Sequence, residues 1–388
     1  MVLMPLANAI ASITDQVRSA AAAATPLRIR GGGSKDFYGQ TLQGEVLDTA
    51  PLAGVFSYEP SELVVTVGAG TPLSELEALL AAQGQCLPFE PPHFGTGATN
   101  PERSSEGVRH SGSAATAGGM VAAGLSGPAR ASVGAVRDYV LGLKLINGRG
   151  ELLTFGGQVM KNVAGYDVSR LMVGAMGTLG LITEVSLKVL PIAPAEATLL
   201  FECSQQQALA WLNSWGAQPL PLNASCWVED GGAGVLYLRL RGARAAVEAA
   251  CKTLGGERKD NAKVAADWQA CRDQQLPWFS SRSDTQDLWR LSVPQTAPML
   301  DLPESPLIEW HGGLRWVRAE DGDAQHLRAV AVAAGGHATL FVACGNQNTR
   351  ATARFDALKP PLDRIHRELK RQFDPAGIFN PGRMSAAW

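Results

Sequence analysis

The sequence predicts an α+β protein in two parts, and three observations carry that prediction. Glycines gather at 31–33, 118–127 and 174–180, each cluster beside a short apolar run that reads as a strand or helix. The composition changes at "PIAPAEA" (191–197), and all nine tryptophans lie beyond it, from Trp211 onward. After that point strands alternate with helices in the order of a split βαβ motif, an antiparallel sheet with helices on one face.

The elements follow in order. Residues 6–24 read as a helix ended by Thr25-Pro26, and "LRI" is a short strand leading into the glycine triplet. "SELVVTVGAG" (61–70) is a β-branched strand; "TPLSELEALLAAQG" is a helix with Thr71 as N-cap, Pro72 in its first turn and Gly84 closing it. Residues 86–113 are loop-rich, and residues 115–134 are dominated by small side chains. "VRDYVLGLKLINGRGELLTFGG" (136–157) is a hairpin around Asn147–Gly150, and "LGLITEVSLKVLP" (179–191) is a strand stopped by Pro191. In the second half, strands are expected at 234–242, 288–294, 314–320 and 338–345. Helices are expected at 205–215, 243–254, 323–335 and 361–375, and no internal repeat is visible.

Bulk properties exclude several classes of function. A net charge of -2, from 34 basic and 36 acidic residues, does not fit a nucleic-acid or anionic-membrane binder. Six cysteines at 86, 203, 226, 251, 271 and 344 include no CxxC pair, so they read as reduced thiols rather than cluster ligands. No HxxxH or HExxH pattern offers a metal site, no apolar run reaches 18 residues, and the N-terminus lacks a basic leader.

The 42 glycines of 388 residues exceed the usual share of roughly 7% without any periodicity. In "RIRGGGSKD", consecutive glycines let successive backbone N–H groups line one concavity, an anion nest, with Arg30 and Lys35 flanking it. A pyrophosphate fits such a nest; a surface turn is the bland alternative. No GxxxxGK[ST] string occurs, and "VTVGAGTPL" has Leu73 where a dinucleotide fingerprint needs its third glycine. "TAGGMVAAGLSGPAR" and "VGAMGTLGLITEV" are further places where main chain lies bare; a tight helix crossing and a bulged strand entry are their bland readings.

Taken in series, "RIRGGGSKDFYG", "LVVTVGAGTPLSELEALLAAQG", "TAGGMVAAGLSG", "RDYVLGLKLINGRGELLTFGG" and "KNVAGYDVSRLMVGAMGTLGLITEVSLKVLP" resemble the FAD-binding domain of the vanillyl-alcohol-oxidase/PCMH superfamily. "LWRLSVP", "IEWHGGLRWV", "GGHATLF" and "FDPAGIFNPGR" narrow the resemblance to FAD-binding subunits of bacterial glycolate oxidase. The resemblance implies a PCMH-type two-subdomain FAD-binding domain at 1–192. It implies a ferredoxin-like antiparallel-sheet cap at 193–370, a segment at 371–388 returning to the FAD domain, and the isoalloxazine at the seam.

Carried over by position, it assigns Arg30, Gly31, Gly32, Gly33, Ser34 and Lys35 to the first pyrophosphate loop. Thr116, Gly118, Gly119, Val121 and Ala122 form the second stretch; Gly177, Leu179, Gly180 and Ile182 the third; and Asn380 opens the "NPGR" of the returning tail. Where the family often reads GSEGTLG this chain reads GAMGTLG, so Ala175 and Met176 replace a serine and a carboxylate. The first loop has no histidine, which implies non-covalent FAD, and "VACGNQNTR" lacks the histidine of the catalytic relatives.

Oxidising a 2-hydroxy acid needs a cation for the carboxylate and a base for the hydroxyl proton. His311 and His337 sit at turns beside strands of the second half, with structural roles as the alternative; His326 and His366 read as surface, and no catalytic residue is assigned. Lys161, Asn162, Tyr166 and Asp167 line either the flavin or a subunit contact, with a hairpin-like connection stabilised by Asp167 as the bland alternative. The implied function is a subunit that oxidises glycolate, or D-lactate, with a second flavoprotein subunit and an iron–sulfur subunit. The implied location is the cytoplasm, peripheral to the inner membrane through those partners. A non-catalytic electron-transfer or assembly subunit is the alternative, with a stand-alone oxidase and a nicotinamide enzyme further off.

Overall fold

The computed structural model describes residues 6–95, 115–157, 166–345 and 352–386. They divide into two compact units. The first comprises the chain up to Leu125, Ala135–Pro191 and the chain from Ala357 onward; the second comprises Ser126–Gly134 and Ile192–Asp356.

The first unit runs α1 (Leu6–Ala23), β1 (Leu27–Arg30), β2 (Glu45–Asp48), β3 (Val55–Glu59), β4 (Val64–Gly68), α2 (Leu73–Ala82), β5 (Gln85–Cys86) and α3 (Ala117–Ala123). After α4 (Arg130–Val133), which belongs to the second unit, come α5 (Val136–Tyr139), β6 (Val140–Ile146), β7 (Leu152–Gly156), α6 (Val168–Leu171), β8 (Leu181–Lys188) and β9 (Leu190–Pro191). Five strands pair antiparallel in the order β3-β4-β8-β6-β7, while β1 and β2 form a separate parallel pair. Strand β8 has neighbours on both sides and is buried along most of its length, including the polar Thr183 and Ser186, whose hydroxyls bond to the Lys144 carbonyl and the Thr66 hydroxyl. Helix α1 turns Ala9, Ile13, Val17 and Ala20 inward at spacings of three and four, onto Leu47, Leu52, Ile146, Leu181 and Phe379.

The expected helix after the 61–70 strand forms, but Pro72 is its N-cap residue. The Thr71 hydroxyl instead accepts from the Gly54 N–H and donates to the Gly54 carbonyl, so a loop-to-loop bond outcompetes the cap. Two boundaries also differ from the expected ones. Gly124, at φ +64°, ends α3, and beyond it the chain enters the second unit for nine residues, where Gly127 and Ser132 bond to Trp310 and His311. The tail rejoins the first unit from Ala357 rather than 371, because α12 (Leu362–Phe373) is bonded there through Lys370 and Phe373.

The second unit continues with β10 (Ala195–Glu202), α7 (Gln205–Gly216), β11 (Leu222–Asp230), β12 (Ala233–Gly242), α8 (Arg244–Leu254), β13 (Glu257–Lys259), α9 (Asn261–Arg272) and α10 (Pro277–Ser280). Then come β14 (Asp287–Ser292), β15 (Leu307–Glu309), β16 (Leu314–Ala319), α11 (Ala324–Ala333) and β17 (His337–Val342). Its eight strands form one antiparallel sheet, β13-β10-β12-β11-β15-β16-β14-β17. Numbered within each half, the first four strands lie 4-1-3-2 and the last four 2-3-1-4. The sheet is therefore two ferredoxin-like halves meeting edge to edge at β11 and β15, a repeat of topology that the sequence does not display. Tryptophans 227, 268, 278, 289, 310 and 316 are buried here, while Trp211 and Trp215 stack at 5.6 Å between ring centroids.

Candidate cofactor site

Within the first unit one cleft gathers segments far apart in sequence. Ile29 through Asp36 form one wall, with Thr116, Gly119, Ala122 and Ala123 of the second glycine stretch opposite. Met176 comes from the third stretch, and Asn380 and Arg383 from the tail.

The first wall is a nest in the physical sense. Among the described residues no protein group accepts a hydrogen bond from the backbone N–H of Gly31, Gly32, Gly33 or Ser34. The space above them also requires glycine. A Cβ on Gly31 would stand 2.5 Å from the Thr116 hydroxyl, and one on Gly33, at φ +77°, 2.5 Å from the Arg30 guanidinium. Arg30 pairs with Asp36 at 3.0 Å, and the Lys35 ammonium lies 3.2 Å from the Ser34 hydroxyl and over the ring of Phe94. The rim thus carries fixed positive charge above unclaimed N–H donors, an arrangement that suits a diphosphate.

Thr116 caps α3 by accepting from the Gly119 N–H at 3.2 Å, which sets the helix start against the nest. The tail closes the cleft. Asn380 accepts from the Ile29 N–H at 2.8 Å and donates to the Met176 carbonyl at 2.7 Å, so one amide spans the first and third segments. Arg383 donates to the carbonyls of Lys35, Asp36 and Gln40 and so holds the far side of the first loop. Behind Asn380 lies a buried pair: Lys370 Nζ is 2.6 Å from Asp374 and also donates to the Thr178 and Phe379 carbonyls, while Asp374 accepts from the N–H groups of Ile378 and Phe379. Burial lowers the affinity of Lys370 for its proton, and Asp374 opposes that loss.

The structure brings Arg30, Gly31, Gly32, Gly33, Ser34, Lys35, Thr116, Gly119, Ala122 and Asn380 to the cleft lining. It places the other expected residues behind it. Gly118 is packed on Ala69, with its N–H bonded to the Ala69 carbonyl at 2.8 Å; Val121 and Leu179 are buried; and Ile182 and Gly180 sit against Leu145 of β6. Gly177, at φ +70°, backs onto Asn380: a Cβ there would lie 2.7 Å from its amide nitrogen. Sequence reasoning missed Ile29, Asp36, Leu42, Ala123, Met176 and Arg383 as lining. Met176 stands where the resembled family has a carboxylate, and that departure was its only signal. Lys161 and Asn162 lie outside the described residues; Tyr166 is exposed, and Asp167 caps α6 by accepting from the Arg170 N–H.

A Gly177→Ala chain is expected to bind FAD about tenfold more weakly. A methyl at positive φ costs on the order of 1 kcal/mol and drives Asn380 off its two partners. Flavin-fluorescence titration reads this, and unchanged affinity would show that Asn380 does not shape the cleft.

The fold and this cleft define a FAD-binding oxidoreductase of the PCMH type. A family model described as FAD binding domain matches residues 6–99. The glycolate oxidase subunit GlcE of Escherichia coli is 46% identical over 97% of this chain and 97% of its own length. The chain belongs to the GlcE family of glycolate oxidase subunits. The subunit GlcD of Bacillus subtilis is 41% identical over 22% of this chain and 18% of its own, and a D-lactate dehydrogenase of Archaeoglobus fulgidus is 32% identical over 43% and 33%. Among solved structures, an alkyldihydroxyacetonephosphate synthase superposes with a TM-score of 0.62 at 16% identity, over 95% of this chain and 75% of that one, which shows the shared fold. Among the described residues no helix is long and apolar enough to cross a membrane.

Proposed function

We propose that this chain is the FAD-holding subunit of a complex that oxidises glycolate, or D-lactate, to the 2-oxo acid. The observation that supports it is the cleft of unclaimed backbone N–H groups, closed by Asn380 and Arg383, in a chain so similar to a glycolate oxidase subunit. When bound, FAD supplies the acceptor for a hydride equivalent from C2 of the substrate. Arg30 to Lys35, Thr116, Gly119 and Ala122 are the residues proposed to hold its diphosphate, with Gly118 and Val121 packed behind them. Gly177, Leu179, Gly180 and Ile182 border it, and Asn380 fixes the segments to one another. No side chain of the first loop offers the imidazole that anchors flavin covalently in relatives, so the cofactor is read as non-covalent. A second flavoprotein subunit and an iron–sulfur subunit are the proposed partners that carry electrons away.

The purified chain is expected to be yellow and to release its flavin into the supernatant on acid precipitation. A yellow pellet would contradict non-covalent binding, and a colourless chain that takes up no FAD would sink the reading. Anaerobic addition of glycolate to the assembled complex is expected to bleach the flavin.

A second reading, an electron-transfer or assembly subunit whose flavin never meets substrate, is favoured by His311. That ring is buried, with Nε2 at 2.8 Å from the Ser132 hydroxyl and Nδ1 at 3.1 Å from the Ser225 hydroxyl. In either tautomer both nitrogens are satisfied, so His311 is not available as a base. Bleaching of the isolated chain by glycolate excludes this second reading.

A further inference from the structure

The cofactor cleft holds one charge of the wrong sign for an anion nest. Among its described lining residues Arg30, Lys35 and Arg383 are cationic, and Asp36 is the single carboxylate. We propose that Asp36 is a specificity-determining residue, which makes the nest select a diphosphate flanked by sugar hydroxyls over a bare, more highly charged phosphate. That ligand class deepens the FAD function proposed above and rests on it.

The first support is position. The Asp36 N–H donates to the Gly33 carbonyl at 3.1 Å, and the Asp36 carbonyl accepts from Arg383 at 3.0 Å. Its peptide is thus pinned to the nest on one side and to the tail on the other, and the carboxylate stands at the rim between them.

The second is unused acceptor capacity. A carboxylate can accept about four hydrogen bonds. Among the described residues neither Asp36 oxygen accepts one from the protein. The contact of Arg30 Nε with Asp36 Oδ2 at 3.0 Å is an ion pair without a hydrogen bond, since that Nε–H meets no acceptor. With the two side chains 38% and 31% exposed, such a pair steadies Arg30 only weakly, so holding Arg30 does not account for the carboxylate.

The third is what lies beside it. The unclaimed N–H groups of Gly31 to Ser34 invite anionic oxygens. A carboxylate next to them repels every oxygen that carries charge and accepts from every hydroxyl. In FAD each end of the diphosphate is esterified by a sugar, ribityl on one side and ribose on the other, whereas inorganic pyrophosphate ends in charged oxygens. A built-in repulsive group separates ligands that share the same anion, which attraction by the nest alone does not.

The test is calorimetric titration of the full chain, cleared of flavin, with FAD, ADP-ribose and inorganic pyrophosphate. ADP-ribose keeps the diphosphate and a sugar on either side of it but lacks the isoalloxazine. The parent is expected to bind FAD and ADP-ribose more tightly than pyrophosphate. In Asp36→Asn, pyrophosphate is expected to bind about tenfold more tightly, by a margin that shrinks at high salt. FAD and ADP-ribose are expected to change by less than about threefold there, because the amide carbonyl still accepts. Asp36→Ala, which removes the acceptor, is expected to weaken FAD and ADP-ribose about fivefold and to give pyrophosphate the same gain. A residue that only held Arg30 would weaken all three ligands in parallel in both variants. That result, an unchanged pyrophosphate affinity, or a parent chain that does not prefer the sugar-bearing ligands would each overturn the proposal. A preference for ADP-ribose that falls in both variants, in a chain that takes up no FAD, would leave Asp36 in this role and remove the function proposed above.

Discussion

Removing the Lys370 ammonium as Lys370→Met, or the Asp374 carboxylate as Asp374→Ala, is expected to destabilise the first unit by about 3–5 kcal/mol, because each leaves the other charge buried without its partner. Both groups are buried, and together they make four hydrogen bonds to backbone: Lys370 to the Thr178 and Phe379 carbonyls, and Asp374 from the N–H of Ile378 and Phe379. The loss is not only one of stability. Those bonds set the path of residues 378–380, and Asn380 is what ties β1 to the carbonyl of Met176. FAD affinity is therefore expected to fall with stability. Urea unfolding and flavin titration on the single variants, with Lys370→Met/Asp374→Ala to close a double-mutant cycle, read both effects. A cost below about 1 kcal/mol in both single variants would mean that the pair is not what holds the tail.

The second large effect is on the pH dependence of the second unit. Burial pushes the His311 imidazole down from 6.5 to about 4. Above pH 6.5 the ring is neutral in both folded and unfolded chains, and this contribution is fully present. Between 6.5 and 4 the unfolded chain takes a proton that the folded unit refuses, so stability falls as pH falls, by about 3 kcal/mol in all. Below 4 both states are protonated and the contribution is spent. His311→Asn keeps a side chain that tolerates left-handed backbone and removes the titration. It is expected to be less stable than the parent at neutral pH but to lose less on acidification to pH 4.5. Parallel slopes for parent and variant over that window would show that His311 is not the titrating group.

How much of this was legible before the structure depends on what each residue does. The glycine segments were readable because bare backbone is a local property: Gly31–Gly33 and Gly119 carry the signal in their own identity. Asn380 came from the resemblance of its "NPGR" context. Gly118, Gly177 and Gly180 carry the same signal, yet the structure uses their missing side chains for contact with Ala69, Asn380 and Leu145 rather than for cleft lining. The sequence cannot separate those two uses, since both require only the absence of Cβ. Arg383 acts through carbonyls more than 340 positions away, and no local pattern announces such a contact.

In the second half, α9 escaped notice because its buried Val264, Trp268 and Cys271 are separated by alanines and charges that blunt the helical period. Strand β11 reads as polar because its exposure does not alternate cleanly, and the three residues of β15 are too few to register. The repeated strand order of the eight-stranded sheet was hidden for a related reason. Topology is set by pairing, which side chains of different identity serve equally well, and the second half lacks the first of the two helices found in the other.

That the first unit is assembled from three separate stretches of chain has a consequence during synthesis. A ribosome completes the nest of Gly31–Gly33 and the helix start at Thr116 long before it reaches Asn380 and Arg383, and the entire eight-stranded sheet is translated in the interval. The nascent chain thus displays an open dinucleotide cradle that nothing yet fastens shut. Truncation between β17 and Asn380 is accordingly expected to give a chain that retains flavin poorly, read by flavin fluorescence of the purified product.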